Sequence, residues 1–90
     1  MEALDFYKHL TELYGDDIEQ RVAKLKEEVL ELEEATPLSF GNLAHFIEEL
    51  ADVTVVLHHI IHITGYDVEE LREIAEDKIL KREIDPNYMR

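Results

Sequence analysis

The order of apolar and polar residues along the chain predicts four helices. From Glu2 to Tyr14, Leu4, Tyr7, Leu10 (or His9) and Leu13–Tyr14 recur at steps of three and four. Such steps line one side of a helix that turns 100° per residue. Gly15 suits the position after a helix end, and Asp16 with Glu19 reads as a capping pair for the next helix. That helix is expected over about 17–35. Ile18, Val22, Leu25, Val29 and Leu32 fall within roughly 80° of one another on its surface. Glu28 lies beside this stripe and Glu31 further round, so both are expected at the rim of a core. Thr36-Pro37 ends the helix, and residues 36–41 form a loop.

The third helix is expected over about 42–64. Its first half is amphipathic, with Leu43, Phe46, Ile47 and Leu50 inward. From Val53 onward, Val55, Val56, Leu57, Ile60, Ile61 and Ile63 leave little polar face, the pattern of a helix covered on all sides. Few short helices in one chain can cover it, so this part is expected at a subunit interface. The β-branched run also allows a strand at 53–57, but the apolar period through Leu50, Leu57 and Ile61 favours helix. Gly65 closes the segment, and Asp67 with Glu70 forms the next capping box. A fourth helix over about 68–82 turns Val68, Leu71, Ile74 (or Ala75) and Ile79 inward, and an irregular tail starts at Asp85-Pro86. The reading is one all-α domain over 1–90. It is an antiparallel bundle of about four helices, completed by homo-oligomerisation because a lone core of this size is marginal.

Charge narrows the partners. The 90 residues carry 22 acids against nine Lys and Arg, a net charge of −13. A polyanion of this kind repels nucleic acid polymers and anionic membranes, and cations are its natural small partners. No stretch is long and apolar enough to span a bilayer. The start Met1-Glu2-Ala3-Leu4-Asp5 lacks the basic residues of a signal peptide, so a cytoplasmic location is expected. The chain has no cysteine, which removes disulfides and thiolate metal sites.

The chemistry concentrates in two acidic pieces, Glu27-Glu28-Val29-Leu30-Glu31 and Glu48-Glu49-Leu50-Ala51-Asp52. Glu28 and Glu31 share one helix face, as do Glu49 and Asp52. If the two helices pack antiparallel, the four carboxylates can meet around a hard cation. All-oxygen ligands favour Mg²⁺, Mn²⁺ or Ca²⁺. The competing reading is a pair of solvated charged faces. Stacked like charges destabilise a helix unless a cation offsets them. Mg²⁺ commonly meets proteins through carboxylates plus substrate phosphates, which points to phosphate chemistry. Lys78 and Arg82 at the end of the fourth helix either complement its dipole or neutralise a phosphate chain. His58, His59 and His62 are expected to serve packing or interface hydrogen bonds, because no zincin pattern accompanies them.

KLKEEVLELEEA followed by FIEELADVTVVLHHI resembles the MazG-like, all-α nucleoside triphosphate pyrophosphohydrolases, whose signature is Glu-Glu-x-x-Glu, a spacer, then Glu-x-x-Asp. The likeness covers about 20–82. It implies a helical bundle built as a homodimer or homotetramer, and Mg²⁺ (Mn²⁺ as a substitute) held by Glu28, Glu31, Glu49 and Asp52. It implies Glu27, beside Glu28, as a second-metal ligand or water-orienting base. Lys24, Lys78 and Arg82 would face substrate phosphates, and Gln20 the base. The implied reaction cleaves a nucleoside triphosphate to its monophosphate and pyrophosphate. The related phosphoribosyl-ATP pyrophosphohydrolases, and a non-catalytic helical oligomerisation or partner-binding module, remain alternatives.

Overall fold

A computed structural model describes residues 1–36, 43–85 and 87. They form four helices: α1 (Ala3–Tyr14), α2 (Ile18–Glu34), α3 (Leu43–Thr64) and α4 (Val68–Ile84). The described residues contain no strand, so 53–57 is helical despite its β-branched run. The expected loop residues Pro37 to Gly41, and the tail at Pro86 and 88–90, lie outside the described residues.

Local chemistry sets the helix limits. Gly15 and Gly65 both take φ of 82°, which a side chain would oppose. The cap of α2 is Asp17 rather than Asp16: its side chain accepts from the Gln20 amide at 3.3 Å. The two aspartates are adjacent, and the helix takes up the one three residues before a free amide at this start. Asp67 and Glu70 form the expected reciprocal capping box on α4. That helix extends two residues further than its pattern suggested, to Ile84.

Helix α3 is the centre of the chain, and both α2 and α1 pack on it. Leu10 of α1, and Val56 and His59 of α3, are buried at this junction. Tyr7 Oη shares a 3.3 Å hydrogen bond with His58 Nδ1, and Thr11 Oγ1 shares one of 2.9 Å with His59 Nε2. The histidines thus bind α1 to α3 within one chain.

The covered face of α2 takes in only part of the expected apolar stripe, with Leu25 and Leu32 half-buried. Ile18, Val22 and Val29 remain 44–48% exposed, and the buried side chain is Glu28, at 7%. Glu28 therefore sits inside the packing rather than at its rim. A single neighbouring helix cannot cover the whole stripe, and α3 lies against the flank that carries Glu28. The same holds elsewhere: Leu4, Leu13, Leu43, Ile47, Leu57, Val68, Ile74 and Ile79 stay exposed. No residue of α4 is buried, and no extensive packing joins it to the other helices. Its surface carries local ion pairs, Arg72 with Glu69 and Glu76, and Lys81 with Asp77.

The chain is accordingly open. Its radius of gyration is 16.0 Å, where a compact domain of this length has about 12 Å. Its accessible surface of 7065 Å² exceeds by about 1,600 Å² that of a typical folded monomer of 10.6 kDa. No described helix is long and apolar enough to cross a membrane.

Candidate metal centre

Two stripes build the site. Arg21, Lys24, Glu28 and Glu31 follow one another by three or four residues on α2, as do Glu49, Asp52, Val56 and His59 on α3. Where these stripes meet, carboxylate oxygens of Glu28, Glu31 and Glu49 all lie within 4.8 Å of one another. Glu28 is buried, Glu49 partly so, and Glu31 exposed.

Three anionic groups this close repel one another. The proton affinity of Glu31 is raised, chiefly by the charge of Glu28, then by desolvation, a hydrogen bond to Glu28 and the charge of Glu49. Lys24 offsets part of this repulsion. Its Nζ lies 3.1 Å from Glu28 Oε1 and 3.6 Å from Glu27 Oε2, and its pKa is raised by the hydrogen bond to Glu28 and the charges of both glutamates. Two oxygens are left without any partner: Glu28 Oε2 and Glu49 Oε2, both shielded from solvent. A buried carboxylate oxygen without a donor carries a substantial desolvation cost.

The donor set fits a hard cation. Carboxylate oxygens from three side chains gathered within 4.8 Å of one another would suit Mg²⁺, Mn²⁺ or Ca²⁺, which take oxygen ligands. The chain offers oxygen ligands alone here, which disfavours zinc and copper.

Beside the cluster opens a cavity of about 480 Å³. Glu28 and Asp52 stand on its wall with Lys24 and Arg21, while Phe6, Leu10, Tyr14, Val55 and Val56 supply apolar surface, and His59 completes it. Asp52 thus borders the cavity that Glu28 also borders, while the close cluster consists of the other three acids. Glu27 is exposed at the side and paired with Lys24. Gln20, Lys78 and Arg82 are not among the residues lining the cavity. Gln20 is exposed near the start of α2, and Lys78 and Arg82 belong to α4, which does not pack against α2 or α3 extensively.

Arg21 is not singled out in the sequence, and His59 is read there only as a packing or interface residue, a role its bond to Thr11 fits, and not as part of the cavity. Their signal is positional: each lies seven residues, two helical turns, from a predicted metal ligand (Glu28 and Asp52) and so shares its face. Arg21 is steered by Tyr14, with its guanidinium carbon 5.0 Å from the ring centroid. His59 is fully buried, and its pKa is lowered by desolvation first, then by the charges of Arg21 and His62.

No family model, no curated protein and no solved structure matches this chain.

Proposed function

We propose that the protein is a Mg²⁺-dependent nucleotide pyrophosphohydrolase, cleaving a nucleoside triphosphate to nucleoside monophosphate and pyrophosphate. The observation that carries this reading is the meeting of Glu28, Glu31 and Glu49, with two shielded oxygens lacking partners, beside a cavity bearing two cationic side chains. Acids alone would exclude a phosphate chain. Carboxylates, a divalent cation and Lys24 with Arg21 together make a place for one.

Glu28, Glu31 and Glu49 would hold the ion, and Asp52, which lines the cavity with Glu28, would be a further ligand. Bound there, Mg²⁺ supplies charge neutralisation of the phosphates and of the departing pyrophosphate. The chain's own groups do the rest. Lys24 and Arg21 attract and orient the anion. Glu27, exposed beside Glu28, orients the attacking water and takes its proton as the water oxygen bonds to phosphorus and the anhydride bond breaks. The apolar wall made by Phe6, Leu10, Tyr14, Val55 and Val56 receives the less polar part of the substrate.

The active species in this reading is a homo-oligomer, a dimer or a tetramer. The excess surface, the exposed apolar faces of α2, α3 and α4 and the large radius of gyration support it. The pairings of Glu31 with Glu49 and of Arg21 with His59 run in opposite chain senses, which supports an antiparallel α2–α3 pair.

The test is pyrophosphate release from canonical and modified nucleoside triphosphates, and from phosphoribosyl-ATP, with Mg²⁺ and with a chelator. Mg²⁺-dependent release from at least one is expected. No release from any of them, by well-folded protein, would overturn the enzymatic reading.

A further inference from the structure

One wall of the cavity is a loosely held helix. Phe6, Leu10 and Tyr14, four residues apart along α1, line it, while α2 and α3 supply the rest. Helix α2 packs extensively on α3, whereas α1 packs less on α3 and has no extensive packing on α2. Leu10 is the one buried residue of α1. Two side-chain hydrogen bonds join α1 to α3: Tyr7 with His58 at 3.3 Å and Thr11 with His59 at 2.9 Å. At its last residue, the Tyr14 ring lies 5.0 Å from the Arg21 guanidinium carbon.

The junction after α1 suits a hinge. Gly15 takes φ of 82°, and its amide closes α1 by donating to the Thr11 carbonyl oxygen at 2.8 Å. Only residues 15–17 separate α1 from α2. Helix α2 starts on its own cap, Asp17, so its start does not depend on α1. The docked arrangement also carries a cost. Arg21 Nε and His59 Nδ1 are shielded from solvent without hydrogen-bond partners, and α1 touches both residues, through Tyr14 and Thr11. A shielded polar atom without a partner raises the free energy of the state that shields it. Segments with few buried apolar contacts open by themselves, ahead of global unfolding.

We propose that α1 is a gate for the cavity: it swings from α3 about Gly15 while α2 and α3 stay paired, and it closes on a bound nucleotide. The inference rests on the nucleotide reading above and adds how the substrate enters. Undocking takes Phe6 and Leu10 out of the wall and frees the His59 ring from Thr11. The carboxylate cluster belongs to α2 and α3 alone, so it persists in both states. A ligand that fills the cavity meets the apolar wall only when α1 is docked. It therefore shifts the equilibrium toward the closed state, and closure sequesters it from bulk water.

Hydrogen exchange of the full chain, resolved by amide, tests this. In the free protein the amides of Leu10 to Tyr14 should exchange through one shared opening, about tenfold or more as frequent as that of α2 and α3. Thr11→Val and Tyr7→Phe, each lacking one bond to α3, should raise that opening by about two- to tenfold and leave the amides of α2 and α3 unchanged. Binding of the α,β-methylene analogues of ATP, GTP, CTP and UTP in Mg²⁺ is measured by calorimetry. Any analogue that binds should, at about ten times its Kd, slow the exchange of α1 by about tenfold. Three results would overturn the gate and leave the nucleotide reading standing. They are opening of α1 only together with α2 and α3, a gradient of exchange from Met1 as at any frayed end, and a bound analogue that leaves α1 exchange unchanged. No binding by any analogue would overturn both.

Discussion

Lys24 Nζ lies 3.1 Å from Glu28 Oε1, so an ammonium group stands at the edge of the carboxylate cluster, where it competes with any metal for Glu28. It is also one of two cations on the cavity wall. These two roles predict opposite effects of Lys24→Gln. Affinity for Mn²⁺ or Mg²⁺ alone should rise several-fold, because a competing charge is gone. The KM for nucleotide should rise as well, by about tenfold, because a phosphate partner is lost. Metal titration and steady-state kinetics on one variant check both signs.

The cluster itself predicts a reversal of stability. Glu31→Gln should raise the melting temperature of the metal-free protein, since it removes repulsion from Glu28 and Glu49. The same change should cancel most of the stabilisation that saturating Mg²⁺ confers on the wild type. Thermal unfolding with chelator and with Mg²⁺ separates the two effects. Substitution of a merely solvated glutamate would move neither.

How much of this was legible beforehand depends on the kind of signal. The four helices follow from apolar spacing, glycine placement and capping residues, all local effects. Glu28, Glu31 and Glu49 were legible as candidates because three-residue spacing and helical geometry force them onto shared faces. The covered side of α2 was legible only in part: Leu25 and Leu32 of its stripe are half-buried, but Val22 and Val29 are as apolar and stay exposed, because the position of α3 decides that Glu28 is covered instead. Arg21 was missed, and His59 was read only as a packing or interface residue, for a related reason: that they line one cavity appears only when α1, α2 and α3 are assembled.

The buried histidine predicts an acid-sensitive fold. Desolvation, Arg21 and His62 lower the His59 pKa below its ordinary 6.5. The unfolded ring then binds a proton at a higher pH than the folded one, so the unfolded state gains protons first as pH falls. The stabilisation is complete above pH 6.5 and is lost progressively below it. Denaturant unfolding across pH 4 to 8 should show this loss, and His59→Phe should flatten the part of the slope that His59 contributes.

Glu27 is exposed and paired with Lys24, outside the close cluster. Glu27→Gln should therefore retain Mg²⁺-induced stabilisation while losing activity by about 10²–10⁴-fold, the usual contribution of a general base. Equal loss of metal binding and turnover would assign Glu27 to the metal instead.

The open shape predicts association. The surplus surface of about 1,600 Å² per chain is about twice the ~800 Å² that one partner buries in a standard interface. Leu57 on α3 and Ile79 on α4 are among the exposed apolar residues. Light scattering should give a mass at least twice that of the chain. Leu57→Asp or Ile79→Asp should lower that mass or leave the protein unfolded when diluted.

The central claim is that carboxylates from α2 and α3 close on one divalent ion. Calorimetric titration of Mg²⁺ and Mn²⁺ into the wild type, Glu28→Gln and Glu49→Gln tests it most directly. The account predicts saturable binding by the wild type and its loss in both variants, one on each helix, with their helical content unchanged. Wild-type protein that binds neither ion, or variants that bind both ions as the wild type does, would contradict it.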